Sequence, residues 1–106
     1  MERIFFLFSL RPGVTPERYS QFWREADRPY ISSLPFVHDC HASIVRGAPL
    51  GTFPYSVIET IDTDSWEAWE RTYDDPGGRK LFDYWAQHLG DLGTLTRVVT
   101  EPIDPA

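Results

Sequence analysis

Drawn as an extended strand, the segment from Arg3 to Leu10 is apolar on both faces, with Ile4, Phe6, Phe8 and Leu10 on one side and Phe5 and Leu7 on the other. Helices packed on a sheet cover one face only. The second face must therefore meet another sheet or remain an exposed apolar patch. That requirement points to a homodimer packed sheet against sheet. The 106 residues suit one domain, 1–106, whose small core would gain considerably from a second subunit.

The rest of the chain supplies the helices and further strands. Arg11-Pro12-Gly13 is a turn signal, and Thr15-Pro16 opens a helix with a favoured cap followed by a tolerated proline. Tyr19, Phe22, Trp23, Ala26, Tyr30 and Leu34 then recur at helical spacing, with Pro29 expected to kink or end the regular part. Phe36 to Arg46 and Tyr55 to Asp62 read as a strand pair joined by a loop rich in Gly and Pro. Asp64-Ser-Trp-Glu67 has capping-box spacing with Asp64 at the cap, and Trp66, Trp69 and Tyr73 form the stripe of a second helix. Asp74-Asp-Pro-Gly-Gly78 reads as a break, after which Arg79 to Leu89 resumes the helix until Gly90 stops it. Thr94 to Glu101 is the last strand. The order is β-α-β twice over. Right-handed crossovers turn it into an α+β, ferredoxin-like fold, with a four-stranded antiparallel sheet and two helices on one face.

Composition excludes several function classes. Net charge is −6 and the arginines are scattered singly, so no basic footprint for nucleic acid or an anionic membrane is present. Cys40 is the single cysteine, which rules out an internal disulfide and any Cys-x-x-Cys site, and a reducing, cytoplasmic setting fits best. The N-terminal apolar run is too short for a signal peptide or a membrane span. No histidines stand at i, i+4 helical spacing, so metal binding is not expected.

Ser65-Trp-Glu-Ala-Trp69-Glu at the second helix, followed by Asp75-Pro76, resembles the dimeric α+β barrel superfamily of antibiotic-biosynthesis monooxygenases, lactone isomerases and EthD-type proteins. Three segments are more similar to the RedY-like proteins of prodiginine and bisindole pigment clusters. These are Leu10-Arg-Pro-Gly-Val14, the passage from Asp27 through Leu34-Pro35 to Val37, and Glu59-x-Ile61-Asp62-x-Asp64-Ser65. EthD-like members carry His-x-Pro in the first helix where this chain has Asp27-Arg28-Pro29, a departure that suits the RedY-like branch. The resemblance implies a dimer, a pocket between helices and sheet in each subunit, and chemistry without metal or organic cofactor.

Two carboxylates are candidates for that chemistry. Asp27 borders the apolar stripe of the first helix. It is either a desolvated acid/base group or a surface partner of Arg24 or Arg28. Glu59 alternates with Val57 and Ile61, so it is either a pocket carboxylate or one half of an ion pair, with Arg97 or across the dimer. His38 and His41 have opposite strand parity, so at most one can face Glu59 as a base–orienter partner. His88 lies on the inner side of the second helix, in its last turn. Cys40, mid-strand in apolar register, is not expected to be a nucleophile.

The tryptophans are core residues first, and Trp23, Tyr30, Trp69, Trp85 and His88 are the candidate substrate contacts. The expected function is a cofactor-independent enzyme of aromatic secondary metabolism. It would act on a pyrrole- or indole-type intermediate by imine hydrolysis or tautomerisation, with Asp27, Glu59, and His38 or His41 as catalytic groups. A cofactorless monooxygenase and a non-catalytic dimeric carrier remain as alternatives.

Overall fold

The computed structural model describes residues 1–105. Its strands are β1 (Glu2–Phe8), β2 (Val37–Ile44), β3 (Val57–Thr63) and β4 (Thr96–Thr100), and its helices are α1 (Pro16–Phe22), α2 (Arg28–Ser33), α3 (Trp66–Glu70) and α4 (Pro76–His88). They form a four-stranded antiparallel sheet in the order β2-β3-β1-β4. The apolar β1 therefore has a neighbour on each side. Ile4, Phe6 and Phe8 are buried on its helix-covered face, joined there by Val57, Glu59 and Ile61 of β3. Phe5 and Leu7 lie on the other face, in register with Thr60 and Ile58 of β3 and, for Phe5, with Val98 of β4. No helix is long and apolar enough to cross a membrane.

The first helix starts as expected, with the Thr15 hydroxyl accepting from the Arg18 amide at 3.1 Å and Pro16 at the first position. The helix does not end at Pro29 but runs on to Ser33, its regular part being interrupted before the proline. A single π turn, Trp23–Asp27, precedes the proline, and the Arg28 amide reaches back five residues to the Trp23 carbonyl. Proline has no amide hydrogen for the preceding turn, and the wider turn gives its ring room. The extra residue also rotates everything after it by about one α-helical step, roughly 100°. That rotation brings Asp27, Tyr30 and Ile31 onto the wall of one cavity.

Two local expectations are corrected, and the stop of α4 before Gly90, which is as expected, has a different cause. The cap of α3 is Ser65, whose side chain accepts from the Ala68 amide at 3.1 Å; Asp64 is instead drawn to His38. The pair Gly77-Gly78 is not a break, because Asp75 caps α4 and both glycines lie in its first turn. Gly90 follows α4 without a left-handed conformation, Gly13 being the residue with positive φ among those described. Its role is proximity, since a Cβ there would stand 2.0 Å from Trp85 Cζ2.

Gly78 is held to its identity by packing. A Cβ at this position would lie 2.2 Å from the Thr72 carbonyl oxygen and 2.8 Å from the Tyr30 hydroxyl, whereas one at Gly77 would lie 3.0 Å from Tyr30 Cε1. Backbone cannot yield as a side chain can. Gly78→Ala is therefore expected to cost about 1–3 kcal/mol from overpacking. That corresponds to a fall in Tm of roughly 5–20 °C at this chain length. Gly77→Ala should cost clearly less, and thermal unfolding of the two variants side by side checks the order.

Candidate functional site

A cavity of about 80 Å³ lies between the sheet and the helices. Its floor is buried: Phe6 and Phe8 of β1, Glu59 of β3, Ile31 of α2, Trp69 of α3, and Trp85 of α4. Its rim is half-buried: Asp27, Tyr30, Tyr73, Leu81, Phe82 and Leu95. The rings form a connected wall, with Phe6 against Trp69 at 5.6 Å, Phe8 edge-on to Trp85 at 4.8 Å, and Phe82 at 5.7 Å from Trp85 and 5.4 Å from Tyr73. An apolar cavity of about 150 Å³ takes up benzene. This one is about half that size.

Glu59 is 7% exposed and sits on the floor, its carboxyl accepting a short hydrogen bond from the Tyr19 hydroxyl. Tyr19 stands behind it and is not part of the cavity wall, so this bond fixes the carboxyl from the side away from the cavity. Burial pushes its pKa up to about 8. Asp27, at the rim, makes no hydrogen bond or ion pair among the described residues, and burial raises its pKa to about 7. Neither Arg24 nor Arg28 pairs with it. One cavity thus holds a buried, oriented carboxyl and a second, unpartnered one.

The alternative for Glu59, an ion pair with Arg97, is not formed. The register runs Glu59–Phe6–Arg97 across β3, β1 and β4, which separates the two by two strand spacings, roughly 9–10 Å. Arg97 Nε donates instead to the Tyr73 hydroxyl at 3.1 Å.

The histidines lie elsewhere. A register shift between Val37 and Asp39 lifts His38 out of strand alternation, and its Nε2 lies 2.6 Å from Asp64 at the surface. His41 is on the outer sheet face, exposed, with Nε2 3.0 Å from Asp39, whose carboxyl that bond holds below its ordinary pKa. Neither meets Glu59, so the expected base–orienter pair is absent. His88 is exposed, 4.7 Å from the Tyr84 ring and outside the cavity wall.

Tyr30, Trp69 and Trp85 line the cavity as anticipated, but Trp23 does not. It is buried beside β2, next to a shallow groove that it shares with Tyr19, Ala42 and Ile44. The Tyr30 hydroxyl is committed to Asp75 at 2.8 Å; burial, reinforced by that bond, raises its pKa to about 12. It therefore offers a ring face to the cavity while tying α2 to the cap of α4. Cys40 is buried, 3.6 Å from the Ser32 hydroxyl, with no cation against it. Among the described residues no group of three His, Cys, Asp or Glu side chains is placed as metal ligands would be.

The sequence profile of the family described as REDY-like protein HapK matches residues 2–103. The chain belongs to that family. HapK from Hahella chejuensis superimposes with a TM-score of 0.79 at 14% identity, covering 100% of this chain and 96% of that one. An ethyl tert-butyl ether degradation (EthD) family protein from Bacillus halodurans gives 0.70 at 14% identity, covering 97% and 99%. A dimeric ferredoxin-like protein of unknown function from Thermobifida fusca gives 0.70 at 21% identity, covering 95% and 90%. At these identities the likeness shows the fold, an α+β ferredoxin-like one. No curated protein matched the sequence. Tyr19, Tyr73 and Phe82 are among the site residues that sequence reasoning did not single out, as are Phe6 and Phe8 on the floor. Tyr19 was visible only as one member of a helical stripe, and its bond to Glu59 depends on how α1 lies over β3.

Proposed function

We propose that this REDY-like protein is a small cofactor-independent enzyme of pigment or antibiotic secondary metabolism. It acts on a planar pyrrole- or indole-type intermediate, of the prodiginine or bisindole kind, by acid/base chemistry. The observation that carries this reading is the pair of carboxyls, Glu59 on the floor and Asp27 at the rim of one aromatic cavity, which hold their protons to about 8 and about 7. Near neutral pH, Glu59 is a proton donor and Asp27 is divided between acid and base. Two carboxyls that titrate in the neutral range within one site can take a proton from one substrate atom and give one to another.

In imine hydrolysis, Glu59 protonates the nitrogen while Asp27 takes a proton from the attacking water. Water adds across the C=N bond, and the resulting carbinolamine collapses to a carbonyl compound and an amine. In tautomerisation, Asp27 removes a proton at one substrate atom and Glu59 delivers one at another. The aromatic wall stacks on the ring and excludes bulk water. Neither route requires a metal or organic cofactor.

The working unit is a homodimer in the cytoplasm. Phe5, Leu7, Ile58 and Val98 face outward from the sheet, and Val98 remains 40% exposed in the single chain. A second sheet would cover this apolar face, as the two-sided β1 demands.

The test is turnover of a pyrrole- or indole-type imine by the wild-type protein, Asp27→Asn and Glu59→Gln, with dissolved oxygen followed in parallel. Loss of turnover in both variants without oxygen uptake is the expected result. Full activity in both variants sinks the proposal. Stoichiometric oxygen consumption would assign the site to cofactorless oxygenation instead.

A further inference from the structure

Arg97 stands just outside the cavity, against two of the rings that form its rim. It lies on the helix-covered face of β4, in register with Phe6 of the floor. Its guanidinium carbon stands 5.2 Å from the centre of the Tyr73 ring and 5.8 Å from that of Phe82, both rim residues. The two rings are nearly perpendicular, so the charge sits in the corner between them, where both attract it. Its Nε is committed to the Tyr73 hydroxyl at 3.1 Å, and the ion pairs among the described residues are Arg3–Asp62, His38–Asp64, His41–Asp39 and Arg79–Asp83. Among the described residues the terminal nitrogens of Arg97 therefore pair with no carboxylate, in a chain with 16 acidic residues to 10 Lys and Arg.

Tyr73 adds a second donor. Its oxygen accepts from Trp69 Nε1 at 3.2 Å and from Arg97 Nε at 3.1 Å. With both lone pairs engaged, its own O–H remains to donate, and no acceptor for it occurs among the described residues. A guanidinium edge beside a free phenol O–H is a receptor for a carboxylate, which accepts at two oxygens.

We infer that Arg97 and Tyr73 select a planar aromatic substrate that carries a carboxylate, held at the rim while its reacting end enters between Asp27 and Glu59. The inference rests on the aromatic-pocket reading above and names its substrate class. The cavity is about half the size that takes up benzene, so a substituent must sit at the rim. On the β4 side, the polar groups waiting there are Arg97 and Tyr73.

The probes are pyrrole-2-carboxylate and its neutral isostere pyrrole-2-carboxamide, titrated by NMR at pH 7 into the wild type, Arg97→Gln, Arg97→Lys and Tyr73→Phe. Wild type should bind the acid at least about tenfold more tightly than the amide, the scale of one charge-assisted contact. Arg97→Gln should abolish that preference, weakening the acid far more than the amide. Arg97→Lys should restore part of it, and Tyr73→Phe should reduce it several-fold. Arg97 is exposed, so the glutamine variant should fold, which its thermal unfolding checks. Equal binding of acid and amide by wild type overturns the inference while the pocket reading stands. An undiminished preference in Arg97→Gln does the same. Absence of binding by either probe overturns both.

Discussion

The protein is expected to lose stability steadily as pH rises from about 5 to about 8, and Glu59→Gln is expected to remove most of that loss. In the unfolded chain Glu59 ionises near its ordinary 4.5; in the folded chain burial holds the proton to about 8. Between those values the folded state binds a proton that the unfolded state has released, so stability falls with rising pH. The contribution is complete below the unfolded pKa, gone once pH passes the folded one, and constant above it. The size is on the order of a few kcal/mol, at 1.36 kcal/mol per pKa unit and allowing for relaxation of a buried site on ionisation. Against a total of about 5–15 kcal/mol for a domain, that is a large share.

Expressed as Tm, the wild type should fall by roughly 10–20 °C across the window, and Glu59→Gln should be nearly flat. At pH 9 the glutamine variant should therefore be the more stable protein, although it has lost a native side chain. Its amide still accepts the Tyr19 bond, so the comparison isolates the charge. Asp27 is half-buried, and solvent at the rim screens its charge, so Asp27→Asn should flatten the curve less. Circular dichroism melts at several pH values decide the matter. Parallel curves for wild type and Glu59→Gln would mean that the carboxyl is not held protonated.

Much of this geometry was legible in the sequence because it follows from short-range rules. The two-sided apolarity of β1 called for a second sheet over its outer face, and Thr15-Pro16 marks the start of α1 by cap chemistry. Glu59 among Val57 and Ile61 announced a carboxylate on an apolar face. What was not legible depends on register and on small departures from regularity. One extra residue near His38 defeats the parity argument that set it on the face opposite His41. The π turn before Pro29 sets the phase of Asp27 and Tyr30, and no residue pattern distinguishes it from a kink. Trp23 satisfies the helical stripe, yet it packs toward β2 on the far side from the cavity. Tyr73 looked like one more ring of a core. Its value to the site comes from Arg97, 24 positions away and on another element.

Turnover should show a narrow bell against pH, rising through about 7 and falling through about 8, if Asp27 acts as base and Glu59 as acid. Asp27 must have lost its proton and Glu59 must have kept its own, and only a thin band of pH satisfies both. Because the two groups share a cavity, the limbs belong to the pair and not to single residues. Glu59→Gln should lower kcat by about 10²–10⁴-fold, the usual worth of a positioned proton donor, and should abolish the alkaline limb.

Tyr19→Phe tests the same arrangement from behind. Its hydroxyl donates to the Glu59 carboxyl, and such a bond favours the ionised form. Removing it should push the Glu59 pKa further up, moving the alkaline limb to higher pH. The loosened carboxyl should also reduce kcat, by about tenfold, a smaller loss than removal of the acid itself. A variant that loses stability alone would lower the amplitude of the bell without moving its limbs. The shift of the alkaline limb is therefore the measurement that separates positioning of Glu59 from simple support of the core.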